Sequence, residues 1–228
     1  MTQSADQQAA VEAAIAAFAD DEPVLIHDFA DREGETDIVY PARAVDSDAV
    51  GRLRNDAGGL VCVALSDAVS EAFGLPFLQD AVEHPAAGEH TLAYDERSSF
   101  SLTVNHRDTF TGITDVDRAL TISELGTAAA AAEADSGYDE SAFAAEFRSP
   151  GHVHLLRAAP ELLADRVGHT ELGIALAAAA DQPPAVVVCE MLDDETGGAR
   201  SPVDAKAYAE RHGLVYVEGE ALLAGLTG

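Results

Sequence analysis

Two short apolar segments constrain the fold of this 228-residue chain more than any other feature. They are "LVCVAL" at 60–65 and "AVVVCEML" at 185–192, and both lack the polar alternation of a half-exposed strand. Unbroken apolar runs of this length are typical of β-strands that are covered on both faces. We therefore predict a sheet with helices packed on both sides of it.

Helical and strand-like patterns mix along the rest of the chain. Helices are predicted, with Ser4 as the first N-cap, at 4–23, 46–59, 66–74, 115–134, 169–180, 201–213 and 219–226. Further strands are predicted at 24–26, 37–40, 99–106, 152–158 and 214–217, and mostly loop at 84–97 and 135–150. No linker divides the chain and no strict βαβ repeat appears. We therefore predict an α+β fold: a single domain over residues 1–228, with helices packed around a mixed β-sheet in three layers, α/β/α.

The charge of the chain is extreme. It has 41 acidic and 13 basic residues, a net charge of −28, and Lys206 is its single lysine. Self-repulsion of this size is weakened where salt screens charges over a few ångströms, so we predict a halophilic protein of a salt-rich cytoplasm. A strongly basic partner is the alternative. Nucleic-acid binding is disfavoured because no basic patch is visible.

The two cysteines, Cys62 and Cys189, lie inside the two apolar segments. Thiols in such positions are expected to be core residues in a reducing compartment. No apolar run reaches the ~18 residues of a membrane span, and the N-terminus lacks the basic region of a signal peptide. We expect a cytoplasmic protein.

An acidic segment, "DFADREGETD" at 28–37, connects two predicted strands. It holds five acids where composition predicts about two. Glu33, Glu35 and Asp37 could bind Mg²⁺ or Mn²⁺, and one of them could act as a general base. A solvated loop of a halophilic protein is the alternative, and Asp28 and Asp31 are interpreted as acidic surface.

Two further segments contain histidines. In "RVGHTE" (166–171), a helix start could bind phosphate together with Arg166, and His169 could bind a metal. A helix cap by Thr170 beside an incidental histidine is the alternative. His152 and His154 in "PGHVH" share one face of a predicted strand, where a surface or core pair is the default interpretation and a metal site the alternative.

Two remaining features complete the candidate site. The segment "DTFTGITDVDR" (108–118), which contains Thr111, could form an anion cradle before a helix, or its Asp115 could be an ordinary N-cap. Glu190 ends a central strand, where α/β sites usually open, although it could also be an acid at the edge of the core. No nucleotide-binding or nucleophile motif is present. The residues alone thus indicate a metal-assisted enzyme for a small phosphorylated substrate.

Taken together, these segments resemble the 3,4-dihydroxy-2-butanone 4-phosphate synthase family from about residue 6 to the end. The similar segments, in the family's order, are "DREGETDIVYPA", "GGLVCVAL", "SSFSLTVNHRDTFTGITDVDRALTI", "FRSPGHVHLLRA", "RVGHTELGIALA" and "VVVCEM". The wording of "VNHRDTFTGIT" is similar to the archaeal branch. We expect a monofunctional protein, without the second domain of some relatives.

The resemblance implies conversion of D-ribulose 5-phosphate to L-3,4-dihydroxy-2-butanone 4-phosphate and formate, with Mg²⁺ (or Mn²⁺), by a homodimer whose site lies near the interface. It implies metal ligation by Glu33 and His169. It implies that catalysis depends on His152, Glu190, Asp37 and Glu35. It implies substrate contacts from Arg32, Glu33, Asp37, Thr111, Arg166, Gly168, His169, Thr170 and Glu190.

Other functions remain open at this level. One is a non-catalytic phosphosugar-binding protein on the same fold, and another is a metal-dependent sugar-phosphate isomerase. The chain departs from many bacterial members at "GETD" after Glu33 and at "ETGGAR" (195–200), whose role stays open. The sequence also leaves open the general base, the number of metals and the choice between Mg²⁺ and Mn²⁺.

Overall fold

The computed structural model describes residues 2–29, 32–87, 97–134 and 136–227, with side chains from residue 5. The α-helices of this part are α1 (Thr2–Ala19), α2 (Ser47–Arg52), α3 (Asp67–Ala72), α4 (Leu78–Ala81), α5 (Asp115–Glu133), α6 (Glu140–Glu146), α7 (His169–Ala179), α8 (Pro202–His212) and α9 (Gly219–Leu226). Its strands are β1 (Val24–His27), β2 (Thr36–Pro41), β3 (Cys62–Leu65), β4 (Phe100–His106), β5 (Phe147–Arg157), β6 (Ala185–Glu190) and β7 (Val215–Glu218).

The strands form one mixed sheet in the order β4-β5-β3-β6-β2-β1-β7. Strand β6 lies at its centre and pairs antiparallel with both β2 and β3. Parallel pairs join β3 to β5 and β1 to β7. The two unbroken apolar segments are therefore interior strands of a mixed sheet, as predicted.

Both faces of the sheet are covered by helices. Ile38 and Val187 point to the face covered by α2, α5 and α8, whereas Val39 and Val186 point to the face covered by α1, α7 and α9. Neighbouring residues of one strand thus belong to different halves of the core, because side chains alternate along a strand. The prediction of an α+β domain with three layers is confirmed.

Several predicted boundaries were wrong. The first helix begins at Thr2 rather than after a Ser4 cap, and α5 is capped by Thr114 rather than by Asp115. The segment 135–150 was predicted to be loop, yet it contains α6 and the start of β5. Stacking of Phe143 between the rings of Phe73 and Phe147, at centroid distances of 4.7 and 4.8 Å, explains the difference. Such long-range packing overrides local polarity.

The predicted loop at 84–97, the extent of the domain and the absence of a membrane span are the remaining expectations about the fold. Residues 88–96 of the predicted loop lie outside the described residues, and a single domain over all of 1–228 stays a prediction. Among the helices that the structure describes, none is long and apolar enough to cross a membrane.

Candidate active site

A cleft of about 360 Å³ opens at the carboxyl end of β6, beside the first residues of β2 and β3. Its walls include most of the residues singled out in the sequence: Arg32, Glu33, Glu35, Asp37, Arg166, His169, Thr170 and Glu190. Segments far apart in the chain meet here because β6 ends, and β2 and α7 begin, at the same edge of the sheet. The position agrees with the expectation for Glu190.

His169 is the buried centre of the acidic side of the cleft. Its Nε2 lies 3.2 Å from the carbonyl oxygen of Ile26, which can only accept a hydrogen bond, so Nε2 carries the proton. Its Nδ1 lies 3.7 Å from Glu33 Oε2 and 3.6 Å from Asp37 Oδ1. The ring therefore turns one nitrogen toward two carboxylates.

These contacts shift the protonation of the group. Burial alone would lower the pKa of His169, but Asp37 and Glu33 outweigh it and raise that pKa to about 9. Burial raises the pKa of Asp37 to about 8, and nearby carboxylates add to the shift. Burial also raises the pKa of Glu35, whereas the contact with His169 lowers the pKa of Glu33. Acids of one cleft thus differ in protonation near neutral pH.

Asp28 is not acidic surface, and that interpretation was wrong. Its side chain is buried, and Oδ1 accepts hydrogen bonds from the backbone N–H groups of Gly34 (2.8 Å) and Glu35 (3.2 Å). Gly34 has a φ of +67°, which a glycine adopts without strain. Asp28 thus shapes the loop that presents Glu33 and Glu35, whereas Asp31 lies outside the described residues. The position of Asp28 directly after a buried strand was the sequence signal that could have indicated its burial.

The donor set fits a divalent cation. Asp28, Glu33 and His169 each offer a ligand atom, and these atoms lie within 4.8 Å of one another. Asp28 Oδ2 and Asp37 Oδ1 are buried and accept no hydrogen bond from the described residues; their ion-pair partners there are Arg32 Nη1 at 3.5 Å and His169 Nδ1 at 3.6 Å. Buried carboxylate oxygens held only by such long contacts are costly, and oxygen-rich sites of this kind suit Mg²⁺ or Mn²⁺.

The start of α7 forms the other end of the cleft. Gly168 is its N-cap residue, so the alternative of a cap by Thr170 was wrong. Arg166 lies beside this start, and its guanidinium bonds Glu171 Oε2 at 3.1 Å and Ser99 Oγ at 2.5 Å. Free N–H groups at a helix start and a fixed guanidinium are the usual donors to phosphate.

Glu171 was not singled out as a site residue from the sequence, although it is the last residue of "RVGHTE". Its carboxylate is fully buried and accepts from the backbone N–H groups of Ala159 (3.0 Å) and Gly168 (3.3 Å), besides Arg166. Gly168 itself does not line the cleft, but a Cβ there would lie 2.9 Å from an Arg32 nitrogen. Glycine at this position lets Arg32 approach the helix start.

Glu190 is held by the chain that precedes β3. Its Oε2 accepts a hydrogen bond from the backbone N–H of Leu60 at 2.9 Å, and its carbonyl accepts from Gly59 at 3.0 Å. A Cβ on Gly59 would lie 2.4 Å from Glu190 Oε2. Glu190 also pairs with Asp37 in the register of β6 and β2, which brings the two carboxylates side by side.

Thr111 and His152 do not lie among the described residues that line the cleft. Both are exposed. The backbone N–H and the hydroxyl of Thr111 bond Asp117 Oδ2 at 3.0 and 3.2 Å, and Gly112 N–H bonds the same oxygen at 2.7 Å. Within a single chain, the carboxylate of Asp117 occupies the hydrogen-bond donors of the predicted anion cradle at 108–118. For the single chain, that prediction was therefore wrong.

Comparison with known proteins agrees with this geometry. The family model described as 3,4-dihydroxy-2-butanone 4-phosphate synthase matches residues 12–224. The enzyme of that name from Archaeoglobus fulgidus is 49% identical over 93% of this chain and 92% of its own length.

Comparison with solved structures indicates the same family. A 3,4-dihydroxy-2-butanone 4-phosphate synthase in complex with two magnesium ions is 29% identical, with a TM-score of 0.76 over 92% of this chain and 93% of its own. A two-domain synthase from A. baumannii is 28% identical, with a TM-score of 0.77 over 93% of this chain, which spans 56% of that protein. The chain therefore belongs to the 3,4-dihydroxy-2-butanone 4-phosphate synthase family.

Proposed function

We propose that this protein converts D-ribulose 5-phosphate to L-3,4-dihydroxy-2-butanone 4-phosphate and formate, as a step of riboflavin biosynthesis. The observation that supports this proposal most directly is one cleft that joins a carboxylate–histidine group to an arginine at a helix start. A small sugar phosphate has the matching chemistry, because polar oxygens lie at one end and a phosphate at the other.

The first part of the proposal is a metal site. Glu33 and His169 would hold Mg²⁺ or Mn²⁺, with a carboxylate oxygen of Asp28 as the third ligand atom of the same group. When bound, the cation would polarise the sugar's oxygens and stabilise negative charge that develops on them. Metal binding requires His169 Nδ1 and the carboxylates without their protons, so it would compete with protonation of this group.

The second part concerns proton transfer. Enolisation needs a group that removes a proton from the carbon next to the ketone, and rearrangement and cleavage need further transfers. Glu35, Asp37 and Glu190 line the cleft on one side, and burial raises the pKa of Glu35 and, to about 8, that of Asp37. A pKa near the working pH suits an acid–base group.

The third part is the phosphate end. Arg166 and the backbone N–H groups at the start of α7 would bind the phosphate, and Thr170 would add a hydroxyl. Arg32 lies between this end and the acidic end, so it would contact the middle of the substrate.

The fourth part is a homodimer. Thr111 and His152 are exposed within one chain, and the apolar side chains of Phe110 (93% exposed), Ile113 (52%) and Val116 (69%) flank Thr111. Apolar side chains grouped this way are typical of an association surface. Association of two copies would cover them and bring His152 of the partner subunit to the cleft. Light scattering that finds a monomer at working concentrations would exclude this part.

The charge and the cysteines support a location. A net charge of −28 is tolerated best at high ionic strength, and both cysteines are buried free thiols. We place the protein in a reducing, salt-rich cytoplasm. Its melting temperature should therefore rise between about 0.1 M KCl, where screening is weak, and about 2 M KCl, where screening is strong.

The deciding experiment is incubation with ribulose 5-phosphate and Mg²⁺ in concentrated KCl, with formate measured by a coupled dehydrogenase. Formate should appear together with the four-carbon phosphate. Binding without formate would favour the phosphosugar-binding alternative, and other pentose phosphates without formate would favour the isomerase. Either result from folded, metal-supplied protein would refute the proposed activity.

A further inference from the structure

The strand pairing of β4 and β5 is interrupted beside His152. Val104 pairs with Val153, but the next residue, Asn105, pairs with Arg148. Residues 149–152 therefore have no partner in the register. The backbone N–H groups of this bulge need other acceptors, since unpaired groups near the core are costly.

Asn105 fills that need with a buried side chain. Its Oδ1 accepts a hydrogen bond from the backbone N–H of His152 at 2.8 Å. Its Nδ2 lies 3.1 Å from His152 Nδ1. Because the backbone N–H can only donate, it fixes the amide oxygen on its own side and leaves the amide nitrogen for the ring.

The direction of the second hydrogen bond determines the tautomer of the ring. His152 Nδ1 also lies 3.3 Å from Asn105 Oδ1, but its contact with Nδ2 is shorter, and Oδ1 already accepts from the backbone N–H. Because the amide nitrogen can only donate, His152 Nδ1 accepts in the shorter contact. A neutral imidazole that accepts at Nδ1 carries its proton on Nε2. The ring nitrogen remote from Asn105 is therefore the one that can donate a proton to a substrate.

Two glycines keep the amide in this orientation. A Cβ on Gly112 would lie 2.0 Å from Asn105 Nδ2, so the loop that contains Thr111 closes directly on the amide. A Cβ on Gly151 would lie 1.9 Å from the Val104 carbonyl carbon, so the bulge also lies against β4. Such close packing fixes the position of the Asn105 amide, and the hydrogen bond from the His152 N–H selects the end that carries the oxygen.

We propose that Asn105 is a positioning residue that holds neutral His152 as the Nε2–H tautomer and joins it to the loop of Thr111. The inference rests on the proposed function only in that His152 takes part in proton transfer. Asn105 itself touches no substrate in this proposal and acts through the ring of His152.

The tautomer can be measured directly. In protein labelled with ¹⁵N in its histidine rings, the His152 signals, assigned with His152→Gln, should show an unprotonated Nδ1 and a protonated Nε2 once the ring is neutral. Asn105→Asp, whose carboxylate can only accept, should move the proton to Nδ1. Asn55→Asp, at the exposed other asparagine, should leave the His152 signals unchanged.

Kinetics supply the second readout. Asn105→Asp should lower kcat about 100-fold, the usual size of an acid–base contribution, with little change in KM. Wild-type protein whose His152 is protonated on Nδ1, or is an equal mixture, would overturn the inference even if Asn105→Asp fails to fold. Formate release by such a protein would refute only this inference and leave the proposed function intact. The predicted tautomer in a protein that makes no formate would refute only the proposed function.

Discussion

Replacing Glu171 with alanine is predicted to damage both stability and substrate binding. The buried carboxylate connects three parts of the site: the start of α7 at Gly168, the loop at Ala159, and the guanidinium of Arg166. The substitution therefore tests whether the buried Glu171 carboxylate stabilises the phosphate end of the cleft.

The size of the effect follows from the contacts that are lost. A missing helix cap costs about 1 kcal/mol, and an N–H left without an acceptor, here that of Ala159, costs about 1–3 kcal/mol. Removal of one partner of a buried ion pair costs about 3–5 kcal/mol. These costs overlap, and the 19% exposure of the Arg166 side chain lets water replace part of the loss. We therefore expect about 3 kcal/mol for Glu171→Ala, which is roughly 6–12 °C in Tm for a domain of this size.

Binding should weaken as well, because Arg166 loses the acceptor that orients it. A charge-assisted hydrogen bond contributes about 1.5–3 kcal/mol, so KM should rise about ten- to hundredfold. Glu171→Gln keeps the volume and one acceptor oxygen and should lose about half as much stability, about 1–2 kcal/mol.

The assay is a thermal melt in concentrated KCl, together with formate kinetics. Glu210→Ala, at an exposed glutamate on α8, is the matched control and should behave as wild type. A Glu171→Ala protein with the wild-type Tm and KM would refute the reasoning, because it would mean that these contacts contribute nothing.

Three further predictions concern the acidic end of the cleft. Glu33→Gln and His169→Ala should each remove both formate release and the rise of Tm with Mg²⁺, while circular dichroism stays native; wild-type activity in either would contradict ligation. Because the pKa of His169 is raised from 6.5 to about 9 in the fold, its contribution to metal-free stability is present below pH 6.5 and is lost as pH rises through about 9. Urea midpoints should fall over that range, and a flat profile would count against the shift. Gly59→Ala places a Cβ 2.4 Å from Glu190 Oε2 and should lower kcat at a cost of about 1–3 kcal/mol, unlike Gly198→Ala, whose nearest neighbouring atom is at 3.6 Å.

Much of the fold was accessible from local pattern. The apolar runs of β3 and β6 predicted strands covered on both faces, and α5, α7, α8 and α9 follow periodicity and capping residues in the chain. Periodicity reports burial directly, because a side chain's direction repeats with its secondary structure. The segment 135–150 was mispredicted, since its polar composition hid the aromatic contact between Phe143 and Phe147.

The candidate site divides in the same way. The sequence identified Glu33, Asp37 and His169, and the structure brings them into one cleft. Asp28 was taken for surface, and Asn105 was not noticed at all. Both are small polar residues whose importance depends on their burial and on hydrogen-bond partners elsewhere in the chain.

The sequence by itself therefore determined the kind of protein: its sheet, its layers, its charge and the residue types of its site. The tertiary structure alone decided which of these residues meet. His169 is held by Ile26, 143 residues earlier, and Glu190 by Leu60, 130 residues earlier. Periodicity acts over a few residues, whereas burial, hydrogen bonding and the resulting pKa shifts depend on neighbours that only folding brings within a few ångströms.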